Sequence, residues 1–255
     1  MRYALKVQYR GKNYAGSQIQ FQNGKPIKEP TIQHELEKAI STLIFGDTEN
    51  KNRQFKTVFS GRTDKGVNAF GQVVHFDVEQ TIVASKFVYQ LNEILPDDIS
   101  VSDLKVVDDR FHAQKSAKRR HYRFEFINRK CKNAFDGDLM RVKFELNIER
   151  MQNSLNYLLG EHDFSSFKSS GTLNPSTVCF IEKATINCVG DHVFIDIVGN
   201  RFLYNMVRTI VGTLLEIEGH NLPKEHMKNV LKACDRRKAG QTVSPYGLTL
   251  IEVEY

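Results

Sequence analysis

The strongest constraint on this chain is a glycine-spaced segment at residues 60–76 that runs directly into a strand pattern. Gly61, Gly66 and Gly71 recur at intervals of five residues, and Arg62 and Asp64 lie inside the first interval. Glycines at such positions mark backbone that bends sharply or lies close to another group. The pattern therefore predicts a carboxylate fixed at a loop-to-strand junction beside a guanidinium, where it can serve as a nucleophile or general base.

The same residues also fit an ordinary turn. Asp64-Lys65-Gly66 is common turn chemistry, because Asp bonds its own backbone and Gly accepts a positive φ. The local sequence leaves both interpretations open.

Charge is concentrated in one short segment. The 255 residues carry a formal net charge of +6. Residues 115–132 hold eight Lys or Arg and one Glu, and the rest of the chain is close to neutral. A local positive field of this kind suits a phosphate backbone, and the alternative is a solvated basic face without a partner.

Motifs for metals, cofactors and membranes are missing from the sequence. The four cysteines form no C-x-x-C pair, the eight histidines form no H-E-x-x-H pattern, and no P-loop or dinucleotide fingerprint occurs. The longest apolar run, 207–217, is interrupted by Arg208 and Gly212 and is too short to span a bilayer. The N-terminus enters strand-like alternation at once, without a targeting segment. We predict a cytoplasmic protein with no cofactor, no metal and no membrane contact.

Hydrophobic periodicity predicts an α+β protein. Strands are expected at 3–9, 72–78, 99–107, 121–127, 142–146, 180–188, 192–198 and 248–255, and helices at 31–45, 85–95, 148–159, 202–218 and 223–234. Many strands alternate apolar and polar residues, which is typical of sheets with one open face. We expect two similar halves, each an antiparallel or mixed sheet backed by helices, with a basic cleft between them. Residues 1–107 form the half with the Asp64 loop, and residues 108–255 form the half with the basic strand and the Arg208 helix.

Several motifs, in order along almost the whole chain, strongly resemble those of the tRNA pseudouridine synthase A family. The resemblance is carried by the Gly61-Arg62-Thr63-Asp64-Lys65-Gly66-Val67 signature and by the segments 7–20, 91–99, 111–124, 162–167, 202–208 and 247–248. It implies the pseudouridine synthase fold, no cofactor, and isomerisation of uridine to pseudouridine in the anticodon arm of tRNA, around positions 38 to 40. It also implies a homodimer with RNA touching both subunits.

The resemblance assigns roles to individual residues. Asp64 matches the catalytic carboxylate, Tyr122 the aromatic residue that packs on the target uracil, and Arg208 the basic partner of the aspartate. Arg62 matches a residue associated with opening the base stack. Lys118, Arg119 and Arg120 lie in the basic segment expected to contact RNA.

Ordinary structural roles are the alternatives for these residues. Tyr122 alone fits a core aromatic on a strand, and Arg208 fits a helical arginine that extends to solvent. Three positions depart from the family, because Ser17 stands where Trp is common, and Asn68 and Asn205 stand where His is common. These departures leave open a paralogue that acts on ribosomal RNA or another tRNA site. A non-catalytic RNA-binding protein on an open-sheet scaffold is the third hypothesis.

Overall fold

The fold combines antiparallel β-sheet with five α-helices in the part of the chain that the computed structural model describes, residues 1–22, 25–26, 29–46, 55–170 and 176–255. The predicted α+β class is confirmed. The chain divides into two compact units, Met1–Lys118 with Leu250–Tyr255, and Arg119–Thr249. The boundary expected near residue 108 lies in the segment that links two strands, and the likeness of the two halves and the cleft between them stay predictions.

The first unit is a sheet with two helices. Its elements are β1 (Arg2–Tyr9), β2 (Phe21–Gln22), β3 (Lys25–Pro26), α1 (Ile32–Phe45), β4 (Val58–Phe59), β5 (Asn68–Asp77), α2 (Ala84–Ile94) and β6 (Ile99–Val107). The strand order is β6-β1-β5, and the C-terminal strand β12 (Leu248–Glu254) lies beside β5. β1 pairs antiparallel with both β5 and β6, and β4 pairs with β5.

The core of this unit follows from the register of its central strands. Leu5 lies opposite Val74 and Tyr3 opposite Phe76, and all four side chains are buried. Helix α1 begins as predicted, because the Thr31 hydroxyl accepts a hydrogen bond from the His34 N–H at 3.2 Å. The helix buries one apolar face and ends at Gly46 in the left-handed conformation.

The second unit is a four-stranded antiparallel sheet with three helices. Its elements are β7 (Arg119–Asn128), β8 (Arg141–Val142), α3 (Ile148–Asn156), β9 (Gly160–Asp163), β10 (Val178–Val189), β11 (His192–Gly199), α4 (Met206–Gly219) and α5 (Glu225–Ala233). The order is β7-β11-β10-β9, and β8 adds one parallel pair to β7. Phe124 and Phe126 of β7 are buried with Ile195 and Ile197 of β11, as the alternation predicts.

Four predicted elements are wrong in extent, among them β5, which begins at Asn68 and not at residue 72, and α3, which ends at Asn156 and not at residue 159. The strand at 142–146 is limited to Arg141–Val142, because only these residues pair with β7. The helix expected from residue 202 begins at Met206, because Asn205 has a φ of 61° and interrupts the helical conformation.

Candidate active site

Asp64 lies at a bridge between two loops of the first unit. It pairs with Gly16 in an isolated antiparallel bridge, and its side chain is half-buried. After it the chain turns, with Gly66 at a φ of 83° and the Val67 N–H donating to the Asp64 carbonyl at 3.1 Å. The turn that the sequence offered as one interpretation is present, and the fixed carboxylate stays a prediction.

Buried polar side chains hold the backbone on the N-terminal side of Asp64. The Thr63 N–H donates to Ser17 Oγ at 2.8 Å, and the Ser17 N–H donates to the Thr63 carbonyl at 3.0 Å. Gln72 Nε2 donates to the Gly61 carbonyl at 3.0 Å. The hydroxyls of Tyr9 and Thr63 are 2.8 Å apart. Segment 61–63 is therefore tied to β1, β5 and the loop at Ser17.

Close backbone approach fixes the other side of the turn. A Cβ at Gly11 would lie 2.0 Å from the Val67 carbonyl oxygen, so only glycine fits there. The Gly11 N–H donates to Asn68 Oδ1 at 2.9 Å, and the Gly66 N–H donates to the Gly11 carbonyl at 3.2 Å. Asn68, a departure from the family pattern, thus has a hydrogen-bonding role in the Asp64 turn.

The basic neighbours of Asp64 in sequence are exposed. The Arg62 side chain is exposed, and Lys65 Nζ forms an ion pair with Glu29 at 2.7 Å. Thr63, directly after Arg62, is buried, so the exposed side chain of Arg62 is followed by one that packs inside the unit.

Tyr122 lies on the covered face of the second unit's sheet. Its ring packs edge-to-face against Phe202, with 5.0 Å between ring centroids, and it is 9% exposed. One edge contact leaves this arrangement compatible with either a core role or a stacking role.

Arg208 lies in the first turn of α4 and is half-buried. Its Nε donates to the Val243 carbonyl at 2.8 Å and its Nη1 donates to Asn205 Oδ1 at 2.6 Å. The amide nitrogen of Asn205 donates to Ser169 Oγ at 3.0 Å. Two bonds from the guanidinium therefore fix its orientation, and a side chain that extends freely to solvent is excluded.

The segment that carries Val243 lies directly on α4. A Cβ at Gly212 would come within 1.7 Å of the Gln241 carbonyl oxygen, so the two backbones touch there. The Gly240 N–H donates to Thr213 Oγ1 at 2.9 Å, and the hydroxyls of Thr209 and Thr242 are 3.1 Å apart. These contacts place the carbonyl that receives Arg208.

Acidic residues from later strands and loops pair with much of the basic segment. Arg119 is bonded to Glu182, Arg123 Nε lies 2.9 Å from Asp196 Oδ1, and Arg129 binds Asp136 and Asp191. Arg120 Nη1 donates to the Asn200 carbonyl at 2.6 Å, and the Lys118 side chain is exposed. The local charge excess along residues 115–132 is therefore smaller than the sequence alone indicates.

One of these acids is buried in a network on the uncovered sheet face. Asp196 is 2.6 Å from His121 Nε2 and also binds Arg123. Burial raises the pKa of Asp196, but the hydrogen bonds from His121 and Arg123 outweigh it and hold that pKa below its usual range. Asp196 is an anion that secures β11 to β7.

Sequence reasoning missed Tyr9 and Gln72 as contributors to the Asp64 segment. The signal was present in Gln72, a polar residue on the face of β5 that also carries the buried Val74 and Phe76. Burial raises the pKa of Tyr9, so its hydroxyl is neutral and can act as a hydrogen-bond donor near neutral pH.

Within the described residues, no three or more His, Cys, Asp or Glu side chains are grouped as a metal site requires. None of the described helices has the length and apolar character needed to cross a bilayer.

Comparisons with known proteins first indicate the class of protein to which this chain is similar. Residues 155–255 match a family model described as tRNA pseudouridine synthase. A chain in the solved archaeal box H/ACA sRNP Nop10–Cbf5 complex is 11% identical to this chain, with a TM-score of 0.37. The match covers 84% of this chain and 43% of that chain.

Full-length relatives then identify the family. The chain is 41% identical over 256 residues to tRNA pseudouridine synthase A of Thermoanaerobacter sp. strain X514, with 98% of each chain covered. It is 38% identical to the Colwellia psychrerythraea protein of the same name and 36% identical to that of Haemophilus influenzae, with all of this chain and 94% and 90% of those chains covered. The chain belongs to the tRNA pseudouridine synthase A family.

Proposed function

We propose that this chain isomerises uridine to pseudouridine in the anticodon arm of tRNA, around positions 38 to 40, with Asp64 as the catalytic carboxylate. The observation that carries the proposal is similarity over the full length to relatives named tRNA pseudouridine synthase A. The half-buried Asp64, on a segment tied down on both sides, is consistent with that role.

The reaction needs a nucleophile but no redox partner. The N1–C1′ bond of uridine breaks, the uracil turns, a C5–C1′ bond forms, and the C5 proton leaves to solvent while N1 gains a proton. In this proposal the ionised Asp64 attacks the uracil or the sugar and is released unchanged. Arg208 stays protonated and supplies positive charge that favours the carboxylate form.

The remaining residues act on the RNA. The target base must leave its stack, which costs about a few kcal/mol, and in this proposal the exposed Arg62 side chain fills the gap. Stacking on Tyr122 recovers about 1–3 kcal/mol. Lys118, Arg119 and Arg120 contact phosphates, and the protein acts as a cytoplasmic homodimer with RNA touching both subunits.

Release of tritium from tRNA labelled at uracil C5 tests the role of Asp64. We expect release by the unaltered protein and none by Asp64→Asn. Asp109→Asn changes an exposed carboxylate in the same unit and serves as the matched control that keeps the wild-type rate. Wild-type release by Asp64→Asn would reject the assignment.

Mapping of pseudouridines in total RNA, with and without the gene, tests the substrate. Loss confined to the anticodon arm of tRNA is the expected result. Loss in ribosomal RNA would favour the paralogue, and an unchanged map would favour a non-catalytic RNA-binding protein.

A further inference from the structure

Five polar side chains form a connected, buried cluster beneath the segment that leads to Asp64. These side chains, Tyr9, Ser17, Ser60, Thr63 and Gln72, are each 0–4% exposed. They come from β1, the loop after it, the Asp64 segment and β5. Burying so many polar groups is costly unless all of them are hydrogen-bonded.

The bonds of Gln72 have a defined direction. Ser60 Oγ donates to Gln72 Oε1 at 2.5 Å, so the amide oxygen faces Ser60. Gln72 Nε2 then donates to the Gly61 carbonyl at 3.0 Å and to the Tyr9 hydroxyl at 3.3 Å. The Tyr9 hydroxyl in turn shares a hydrogen bond with Thr63 Oγ1, 2.8 Å away, in which either hydroxyl can donate.

These hydrogen bonds hold the segment 61–63 at two alternate residues. Gly61 is held through its carbonyl and Thr63 through its hydroxyl and backbone. Arg62, between them, is exposed, and Asp64, directly after Thr63, is half-buried. The cluster thus holds the backbone from which the Asp64 carboxylate extends.

We propose that Tyr9 and Gln72, acting through the Thr63 hydroxyl and the Gly61 carbonyl, are positioning residues for the step performed by Asp64. This inference rests on the proposed catalytic role of Asp64. Displacement of a catalytic group by about 1 Å can cost on the order of 100-fold in rate, so loss of a single hydroxyl beneath the segment is expected to be measurable.

Four variants test the proposal. Tyr9→Phe and Thr63→Val each remove one hydroxyl and keep the shape of the side chain. Thr63→Ser restores the hydroxyl. Tyr3→Phe is the matched control, because Tyr3 is a buried tyrosine of the same strand whose hydroxyl accepts from the Ile82 N–H at 2.9 Å, away from Asp64.

Single-turnover tritium release and the Kd for unmodified tRNA are measured for each variant, with thermal unfolding as a check on folding. We expect Tyr9→Phe and Thr63→Val to slow the single-turnover rate by roughly 10- to 100-fold without a change in Kd. We expect Thr63→Ser to recover most of the loss and Tyr3→Phe to match wild type in rate. All four variants are expected to bind tRNA like wild type.

Three results would overturn the proposal: wild-type rates for Tyr9→Phe and Thr63→Val, an equal slowing by Tyr3→Phe, or a loss confined to Kd. If Asp64→Asn itself releases tritium at the wild-type rate, the proposed role of Asp64 fails. If Asp64→Asn is inactive and Tyr9→Phe is unaffected, only the positioning inference fails.

Discussion

The segments that carry Asp64 and Arg208 are held in different ways. The backbone before Asp64 is held by neutral, fully buried side chains of the first unit. Arg208, in the second unit, is held through its own guanidinium by a carbonyl and a half-buried amide. We therefore expect the Asp64 segment to tolerate little change in the side chains that support it. The orientation of Arg208 should depend more on the position of the backbone that carries the accepting carbonyl.

Backbone contacts should give the largest effects in both segments. A methyl group at Gly11 or Gly212 would meet a carbonyl oxygen at 2.0 or 1.7 Å. Gly11→Ala and Gly212→Ala should each lower the free energy of unfolding by about 3 kcal/mol or more, measured by urea denaturation. At Gly219 the nearest atom would be 3.4 Å away, so Gly219→Ala serves as the control with little change. Similar stabilities for all three variants would contradict the close approach.

Loss of a supporting side chain should lower the free energy of unfolding more at the Asp64 segment than at the Arg208 segment. Gln72→Leu removes the three hydrogen bonds of Gln72 to the Ser60 hydroxyl, the Tyr9 hydroxyl and the Gly61 carbonyl, and at about 1 kcal/mol each this should lower the free energy of unfolding by about 3 kcal/mol. Asn205→Ala should cost about 2 kcal/mol, because it loses two part-buried bonds, to Arg208 and Ser169, at about 0.5 kcal/mol each and leaves a left-handed alanine that costs about 1 kcal/mol.

The same comparison has two internal controls. Asn205→Gly loses the same hydrogen bonds as Asn205→Ala but avoids the strain of a left-handed alanine. It should therefore be more stable than Asn205→Ala. Gln80→Leu, at an exposed glutamine of the first unit, should be near neutral. A smaller loss for Gln72→Leu than for Asn205→Ala would reverse the comparison.

Acid should remove the stabilising contributions of His75 and Asp196 in different pH ranges. Burial lowers the pKa of His75, with nearby Arg2 and His112 acting in the same direction, and His75 Nδ1 accepts the Ala113 N–H at 3.1 Å. Its stabilising contribution is therefore complete above the unfolded pKa of about 6.5 and decreases as the pH falls below that value. The lowered pKa of Asp196 gives a contribution that is present above about pH 4 and decreases below it.

Urea denaturation from pH 7.5 to pH 3 measures both contributions. His75→Gln should flatten the stability profile just below pH 6.5, and Asp196→Asn should flatten it only below about pH 4. Profiles with the same slopes as wild type would show that these groups do not control the acid response.

Phosphate contacts should give the smallest effects. Lys118 is exposed, whereas Arg119 is paired with Glu182 in the free protein. Lys118→Ala should reduce the slope of log Kd against log salt by about 0.7–0.9, and Arg119→Ala by less. In the Glu182→Gln background, Arg119→Ala should reduce the slope by more than it does in wild type, because the carboxylate that competes with phosphate for Arg119 is removed. Equal slopes for wild type and Lys118→Ala would count against the basic segment as an RNA surface.

Local pattern was sufficient for elements whose signals lie within one segment. The apolar face and Thr31 cap of α1, and the alternation at Tyr122, Phe124 and Phe126, predict what the structure contains. The predicted start of α4 was wrong because hydrophobic periodicity does not report the left-handed backbone of Asn205. Strand β9 was missed because its four residues are a strand only through their pairing with β10.

The residues that support the candidate site were harder to predict from the sequence than the site residues themselves. Tyr9, Thr63 and Gln72 lie far apart in sequence and meet only through the β1–β5 register. The acidic partners of the basic segment likewise come from β10 and β11. No local pattern reports contacts of this kind, so the roles predicted for Asp64, Tyr122 and Arg208 stay predictions that rest on resemblance.

A double-mutant cycle with Tyr9→Phe and Thr63→Val, read by single-turnover tritium release, tests most directly whether the buried cluster acts on Asp64 as one unit. If the two hydroxyls act through their shared hydrogen bond, the double variant should be no slower than the slower single variant. Rate losses that multiply in the double variant would show that the two residues act independently and would contradict the account.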